Sequence, residues 1–230
     1  FALPYYWAIS NDKDLTFTPR IYSKENALFL NEYRQAFRNG FLTLDSSYNK
    51  DYNHLFADLD LNLNKGKPNK SNLTVKLQRT SNDTYFRKHD INTSLVKAEN
   101  TDIENEIKYS FAKDNMFFDI STNIYQNLLI KKSSDQYEYI LPNVMYGKTF
   151  FTENYGILNF ETKAFRSIYD TNKHKTFLTN DVIWSPSNYI TRKGFVNTLQ
   201  GMIRNTNYET KKTDEYKDGK TINEISGVLT

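Results

Sequence analysis

The chain has no cysteine among its 230 residues. Disulfides and thiolate metal sites are therefore excluded, and the redox compartment cannot be read. No run of ~18 apolar residues occurs, so no transmembrane helix is expected. There is no glycine-rich phosphate loop and no Gly-x-Ser-x-Gly elbow. The three histidines, His54, His89 and His174, lack ligand-type spacing. We expect them at exposed or luminal positions, with no metal and no other cofactor. A strong excess of charge of one sign is also lacking. The net charge is +3 with both signs mixed along the chain, too weak for a nucleic-acid footprint, which needs a clustered basic face. Only 38 % of residues are hydrophobic and mean hydropathy is −0.71, a low supply for a soluble core. Neither an initiator Met nor a signal peptide opens the chain. Phe1 begins inside a strand pattern, so we read residues 1–230 as a single segment of something longer.

What is present is a residue period of two. Phe1–Ile9 and Asp14–Ser23 read FALPYYWAI and DLTFTPRIYS, joined by the polar turn Ser10-Asn11-Asp12-Lys13. In the first, Leu3, Tyr5, Trp7 and Ile9 share a face. In the second, Leu15, Phe17, Pro19 and Ile21 fall on one face and Thr16, Thr18, Arg20 and Tyr22 on the other. That is the mark of a strand between unlike environments. Each stretch carries a proline near its middle, Pro4 and Pro19. Proline has no N–H for a ladder, so weak pairing is expected there.

Asn26–Phe37 continues the pattern, with Ala27, Phe29, Tyr33 and Phe37 opposite Glu32 and Arg34. Arg38-Asn39-Gly40 reads as a tight turn with positive φ at Asn-Gly. Phe41–Tyr48 follows. His54–Leu63 alternates most cleanly: Leu55, Ala57, Leu59, Leu61 and Leu63 on one side, Phe56, Asp58, Asp60 and Asn62 on the other. Asn72–Arg79 alternates again. The pattern then breaks over Thr80–Asp102, which reads as a functional or mobile loop, or one holding a short helix. Strands resume at Glu104–Lys113, Met116–Leu128, Tyr137–Phe150, Gly156–Ile168, Thr176–Trp184, Phe195–Arg204 and Ile222–Leu229. A charged loop with Lys211, Lys212, Asp214 and Glu215 separates the last two, and a polar loop spans Lys131–Gln136.

The pattern gives an all-β fold, antiparallel, with about a dozen strands or slightly more, most of roughly 8–13 residues, a length that favours strands crossing a bilayer, which need ~9–11. A transmembrane β-barrel needs apolar residues only at alternate positions, which reconciles the strand content with soluble-looking hydropathy. On this reading Leu3, Tyr5, Trp7, Leu15, Phe17, Leu55, Leu59 and Leu61 face the membrane. Thr16, Thr18, Arg20, Glu32, Arg34, Asp58, Asp60 and Asn62 face a polar lumen. The pair Asp58 and Asp60 could serve acid–base chemistry, but a polar wall is the plainer account. Lys131-Lys132 and Lys211-Lys212 read as solvated loop charges. The Asn-x-Ser/Thr matches are set aside in an Asn-rich chain. No convincing catalytic set is visible.

The run LPYYWAIS…DLTFTPRIYSKENALFLNEYRQAF…GFLTLD resembles the start of the barrel of LptD, the lipopolysaccharide-assembly or organic solvent tolerance family. LPYYW at Leu3–Trp7, TPR at Thr18–Arg20 and NEYR at Asn31–Arg34 carry it, with weaker echoes at Thr84-Tyr85-Phe86 and Leu141–Tyr146. The resemblance covers about a fifth of the chain. It implies the first part of a larger outer-membrane barrel, a preceding periplasmic domain fed by a protein bridge, and an LptE-like lipoprotein plug in the lumen. It also implies a lateral opening between first and last strands, with Pro4 and Pro19 at the positions that weaken the gate. The expected partners are lipopolysaccharide, outer-membrane lipid, the plug and the bridge, but not nucleic acid. Two rivals stay open: another outer-membrane barrel, porin or nutrient receptor, and a soluble extracellular β-domain binding carbohydrate or protein. An outer-membrane enzyme is a third.

Overall fold

The period of two becomes hydrogen-bonded ladders in the computed structural model, which describes residues 1–129, 135–213 and 221–230. The elements are β1 (Tyr5–Ser10), β2 (Lys13–Arg20), β3 (Leu28–Phe37), β4 (Gly40–Tyr48), β5 (Asn53–Asn62), β6 (Lys70–Thr80), α1 (Tyr85–Lys88), β7 (Asp102–Lys113), β8 (Met116–Asn127), β9 (Tyr137–Thr152), β10 (Gly156–Tyr169), β11 (His174–Ser185), β12 (Tyr189–Ile190), β13 (Val196–Asn197), β14 (Gly201–Lys211) and β15 (Ile222–Leu229). Thirteen strands form one sheet in chain order, β1 to β11, then β14 and β15; β12 and β13 form a separate pair. β1 and β15 end that order, and among the described residues no ladder joins them. The fold is thus all-β with an antiparallel sheet. No helix among the described residues is long and apolar enough to cross a membrane. Contacts divide the chain into two compact units. One is Phe1–Gly66, Ser71–Tyr109 and Asn123–Glu138; the other is Lys67–Lys70, Ser110–Thr122 and Tyr139–Thr230.

In the first unit the register decides which side chains share a face. Tyr5 opposes Phe17, Leu15 opposes Tyr33, Tyr33 opposes Leu44, Leu44 opposes Ala57 and Ala57 opposes Leu77. Directly opposed residues lie on one side of a sheet. Tyr5, Trp7, Leu15, Phe17, Phe29, Leu42, Leu55, Leu59, Leu61 and Val75 therefore line one apolar face. The charges on that face are Lys13, at the start of β2, and Arg79, near the end of β6. Asp14, Arg20, Glu32, Arg34, Asp45, Asp58, Asp60 and Lys76 all fall on the other face. A slip of one residue would exchange the two sets, so the pattern specifies its own register.

The chain between β6 and β7 folds back onto the charged face. Tyr85, Phe86, Ile91 and Val96 pack with Leu28, Leu30, Phe56, Ile103 and Leu128 in the buried cluster. α1 is only one turn, and its N-cap Thr84 makes no side-chain capping bond. Tertiary burial must hold it, since an isolated turn pays the nucleation cost without propagation. Each fully buried aromatic or aliphatic side chain contributes ~1.5–3 kcal/mol.

Several expectations are corrected. Pro4 lies just before β1, and Pro19 is the penultimate residue of β2; neither is central. Proline's missing N–H is tolerated best at such ends. Neither Asn39 nor Gly40 takes a positive φ. Gly40 is required for space instead, because a Cβ there would run into the Asp60 carbonyl and the Leu61 side chain. The strand expected at Phe195–Arg204 is displaced to β14. Gly194, at φ 85°, lets the chain reverse, and Phe195-Val196 joins a local hairpin closed by Thr191 N–H donating to the Phe195 carbonyl at 2.9 Å. Lys211 ends β14 and is not in a loop. Lys131, Lys132, Asp214 and Glu215 lie outside the described residues.

The second unit pairs β10 with β11, β11 with β14 and β14 with β15. Phe165, Phe177 and Tyr208 stack across three strands at 5.3 and 5.6 Å between centroids. On the same face the Arg204 guanidinium donates twice to Asp181, both at 2.7 Å.

Candidate functional site

The two early prolines act on different edges. The Ile21 amide donates to the Phe1 carbonyl at 2.8 Å and the Leu3 amide to the Pro19 carbonyl at 3.3 Å. In an antiparallel ladder, bonded pairs alternate with non-bonded ones. Phe1, Leu3, Tyr5 and Trp7 thus turn their backbone groups to β2. Ala2, Pro4, Tyr6 and Ala8 turn theirs away from it. Pro19 opposes Leu3 and cannot return the second bond of that pair. Pro4 turns its donor-less nitrogen toward the unpaired side of β1. Leu3, Tyr5 and Trp7 are all more than half exposed.

On the charged face, the predicted polar residues gather under the 81–101 segment. Arg20 Nη1 donates to the carbonyls of His89 at 2.8 Å and Asp90 at 3.1 Å. Glu32 accepts from the Ser94 amide at 3.1 Å. Thr93 donates its hydroxyl to Asp45. A cavity of about 200 Å³ remains between segment and wall, lined by Thr16, Thr18, Arg20, Glu32, Asp45 and Asn92 among others. Arg34 pairs with Asp14 at 2.9 Å. Asp58 and Asp60 line a separate recess with Lys76, Glu106 and Lys108. Lys76 Nζ lies 3.9 Å from Glu104 and 3.9 Å from Glu106. Asn62 stands apart, accepting from the Asn64 amide in the turn after β5.

Of the histidines expected at exposed or luminal positions, two are buried where the 81–101 segment meets the charged face. His54 and His89 are 3 % and 5 % exposed, because the 81–101 segment, which carries His89, packs down over His54. Both contact the Tyr85 ring, at 5.8 and 5.4 Å. Phe56, placed on the polar wall, is fully buried in the same cluster. His54 Nδ1 lies 2.7 Å from Ser47 Oγ and Nε2 lies 3.0 Å from Asp45 Oδ1. The Ser47 oxygen already accepts from the Tyr85 hydroxyl at 2.6 Å and from the His54 amide at 3.1 Å. Its own hydrogen therefore goes to Nδ1, and Nε2–H donates to Asp45.

This Asp–His–Ser chain has the composition of a hydrolytic triad but not its access. A nucleophile needs an open approach and a free lone pair; Ser47 is 5 % exposed and both lone pairs are used. The network serves to dock the segment. Burial pushes the Tyr85 phenol up to about 12, against the pull of its Ser47 bond. Burial also lowers His89, with Glu25 opposing the shift. Sequence reading missed Asp45 and Ser47. Their signal was two polar residues on the charged face, one directly opposite His54 across the 49–52 turn. Among the described residues no cluster of His, Cys, Asp and Glu suits a metal ion.

No known protein family matches this chain, and no curated protein does. Among solved structures it is similar to the crystal structure of OccAB3 from Acinetobacter baumannii. The match has 9 % identity, covers 99 % of this chain and 67 % of that one, and has a TM-score of 0.43.

Proposed function

We propose that this chain is part of an outer-membrane β-barrel that passes lipopolysaccharide sideways into the outer leaflet at the β1 edge. The observation that carries the reading is the chemistry of that edge: Pro19 withholds one donor from the β1–β2 ladder, and Pro4 withholds another from the far side of β1. The separation of faces supports it. A continuous apolar face as wide as five or six strands is an association hazard in water and the natural outer wall of a barrel in lipid. A closed barrel has no free edge, so a bulky amphiphile leaves only where a seam opens. Pro4 lowers the cost of opening the far side of β1 by ~0.5–1.5 kcal/mol, and Pro19 loosens β1 from β2 by a similar amount. That is enough to select a seam without dissolving the wall. Acyl chains then slide along the apolar face while the sugars stay by Arg20, Glu32, Arg34, Asp58 and Asp60. The partners are lipopolysaccharide, membrane lipid, an LptE-like plug and a periplasmic bridge.

The test is Pro4→Ala with Pro19→Ala in the full-length protein, reading lipopolysaccharide at the cell surface. Slowed export with a folded barrel is expected; unchanged surface lipopolysaccharide would remove the gate role. One observation favours a second reading. The 81–101 segment occupies part of the charged face, as suits a lumen narrowed for small solutes. Stable single-channel conductance in planar bilayers, together with normal lipopolysaccharide export by the proline variants, would favour a diffusion barrel.

A further inference from the structure

We infer that the hairpin between β11 and β14 is an interfacial anchor that seats in the phosphate-bearing headgroup layer of the bilayer. This rests on reading the strands as membrane-spanning. The hairpin closes on itself: Tyr189 opposes Asn197 and Ile190 opposes Val196. The Asn197 side-chain amide donates to the Tyr189 carbonyl at 3.2 Å. The Phe195 amide donates to Thr191 Oγ1 at 3.1 Å.

Despite that order, it buries none of its apolar side chains. Tyr189, Ile190, Phe195 and Val196 are 70, 64, 67 and 59 % exposed. A hairpin this short gains little by exposing four large apolar residues to water. Its tip carries Arg192 and Lys193, and among the described residues no carboxylate pairs with either. Apolar flanks below a cationic tip match a layer in which phosphates lie above acyl chains.

The surroundings set the depth. The hairpin leaves the sheet where β9 turns into β10 and β11 ends. Gly156, at φ 80°, packs there against the backbone of Ser185 and Pro186. Phe150, Phe151, Tyr155 and Trp184 are exposed at this end, and the Trp184 indole N–H donates to the Tyr155 carbonyl at 2.7 Å. Rings that are part apolar and part polar collect at membrane interfaces. From Trp184, the face shared by Leu158, Ile203 and Leu229 continues away from the hairpin. The occupant favoured by Arg192 and Lys193, which no carboxylate among the described residues pairs, is therefore a phosphate headgroup, not an apolar protein surface.

Because the chain has no cysteine, Phe195→Cys and Ile203→Cys can each take a single polarity-sensitive fluorophore. Both proteins are reconstituted in phosphatidylcholine vesicles with and without phosphatidylglycerol, using brominated lipids as quenchers. Position 203 reports whether β14 meets lipid at all; position 195 reports the hairpin. The expected result is quenching at 203 in both vesicles, and quenching at 195 that is stronger with phosphatidylglycerol. In Arg192→Gln and Lys193→Gln backgrounds the seated fraction at 195 should fall, by about fivefold in equilibrium constant per cation. Quenching at 203 without any at 195 would overturn the anchor while leaving the membrane reading intact. Quenching at neither would remove the membrane reading itself. Shielding of 195 that depends on protein concentration and not on lipid would assign the hairpin to a second copy and refute the proposal.

Discussion

Replacing Pro19 with alanine should strengthen one particular pair of the β1–β2 ladder and leave global stability almost unchanged. The new amide at position 19 faces the Leu3 carbonyl, since Leu3 already donates to the Pro19 carbonyl across the same pair. That existing bond is 3.3 Å, against 2.8 Å for the neighbouring Ile21-to-Phe1 bond, so the ladder is slack where the proline sits. One added bond contributes ~0.5–1.5 kcal/mol. Relieving the proline's constraint on the unfolded chain offsets ~0.4–1 kcal/mol of that. A melting temperature is therefore the wrong readout. Local opening of the β1–β2 pair, with the rest of the fold intact, should be suppressed about 2- to 13-fold. Hydrogen exchange at the Leu3, Phe17 and Ile21 amides reads it directly. Pro4→Ala should leave those three amides unchanged, because its new N–H turns away from β2. Equal protection in both single variants, or none in Pro19→Ala, would refute the assignment of the two prolines to different edges.

The docked segment supports two further predictions. Tyr85→Phe removes one donor from Ser47 and should cost ~0.5–1.5 kcal/mol of docking. His54→Ala strips the buried Asp45 carboxylate of its imidazole N–H donor and should cost ~1–3 kcal/mol. Proteolytic cleavage at Arg87 and Lys88 should rise accordingly in that order. Docking should also weaken in mild acid. His89 is depressed when docked, so the undocked state binds the proton more readily. Stability is then complete above the free-histidine value of about 6.5 and falls as pH drops below it, levelling once the docked histidine also titrates. Hydrogen exchange of residues 85–96 across this range, with His89→Asn as the pH-insensitive control, checks the sign.

Much of the fold was legible because a period of two leaves little freedom. In β5 the alternation of Leu55, Ala57, Leu59 and Leu61 with Asp58 and Asp60 named both the element and its faces, and the ladders kept them. Pattern cannot register a covering segment, however. Phe56 and His54 sit at polar-wall positions and are buried only because residues 81–101 fold back over them. That segment has no periodicity of its own and is held by contacts far away in sequence. The displaced β14 has a different cause. Phe195-Val196 looked like the start of a strand because local hydrophobicity cannot tell a main-sheet strand from a side hairpin. The positive φ at Gly194 and the break at Pro186 made the difference. The Asp45–His54–Ser47 network was invisible because each member is unremarkable alone and only the β4–β5 register puts Ser47 opposite His54.

The separation of an apolar from a charged face in the first unit is the claim on which the membrane account stands. Spin labels on single cysteines along β5, at positions 55, 57, 58, 59, 60 and 61, test it in a reconstituted bilayer by relaxation from oxygen and from a water-soluble nickel chelate. The account predicts oxygen-dominated relaxation at 55, 57, 59 and 61 and nickel-dominated relaxation at 58 and 60. Relaxation without that alternation, in a protein that stays folded and monomeric in buffer without detergent, would contradict it.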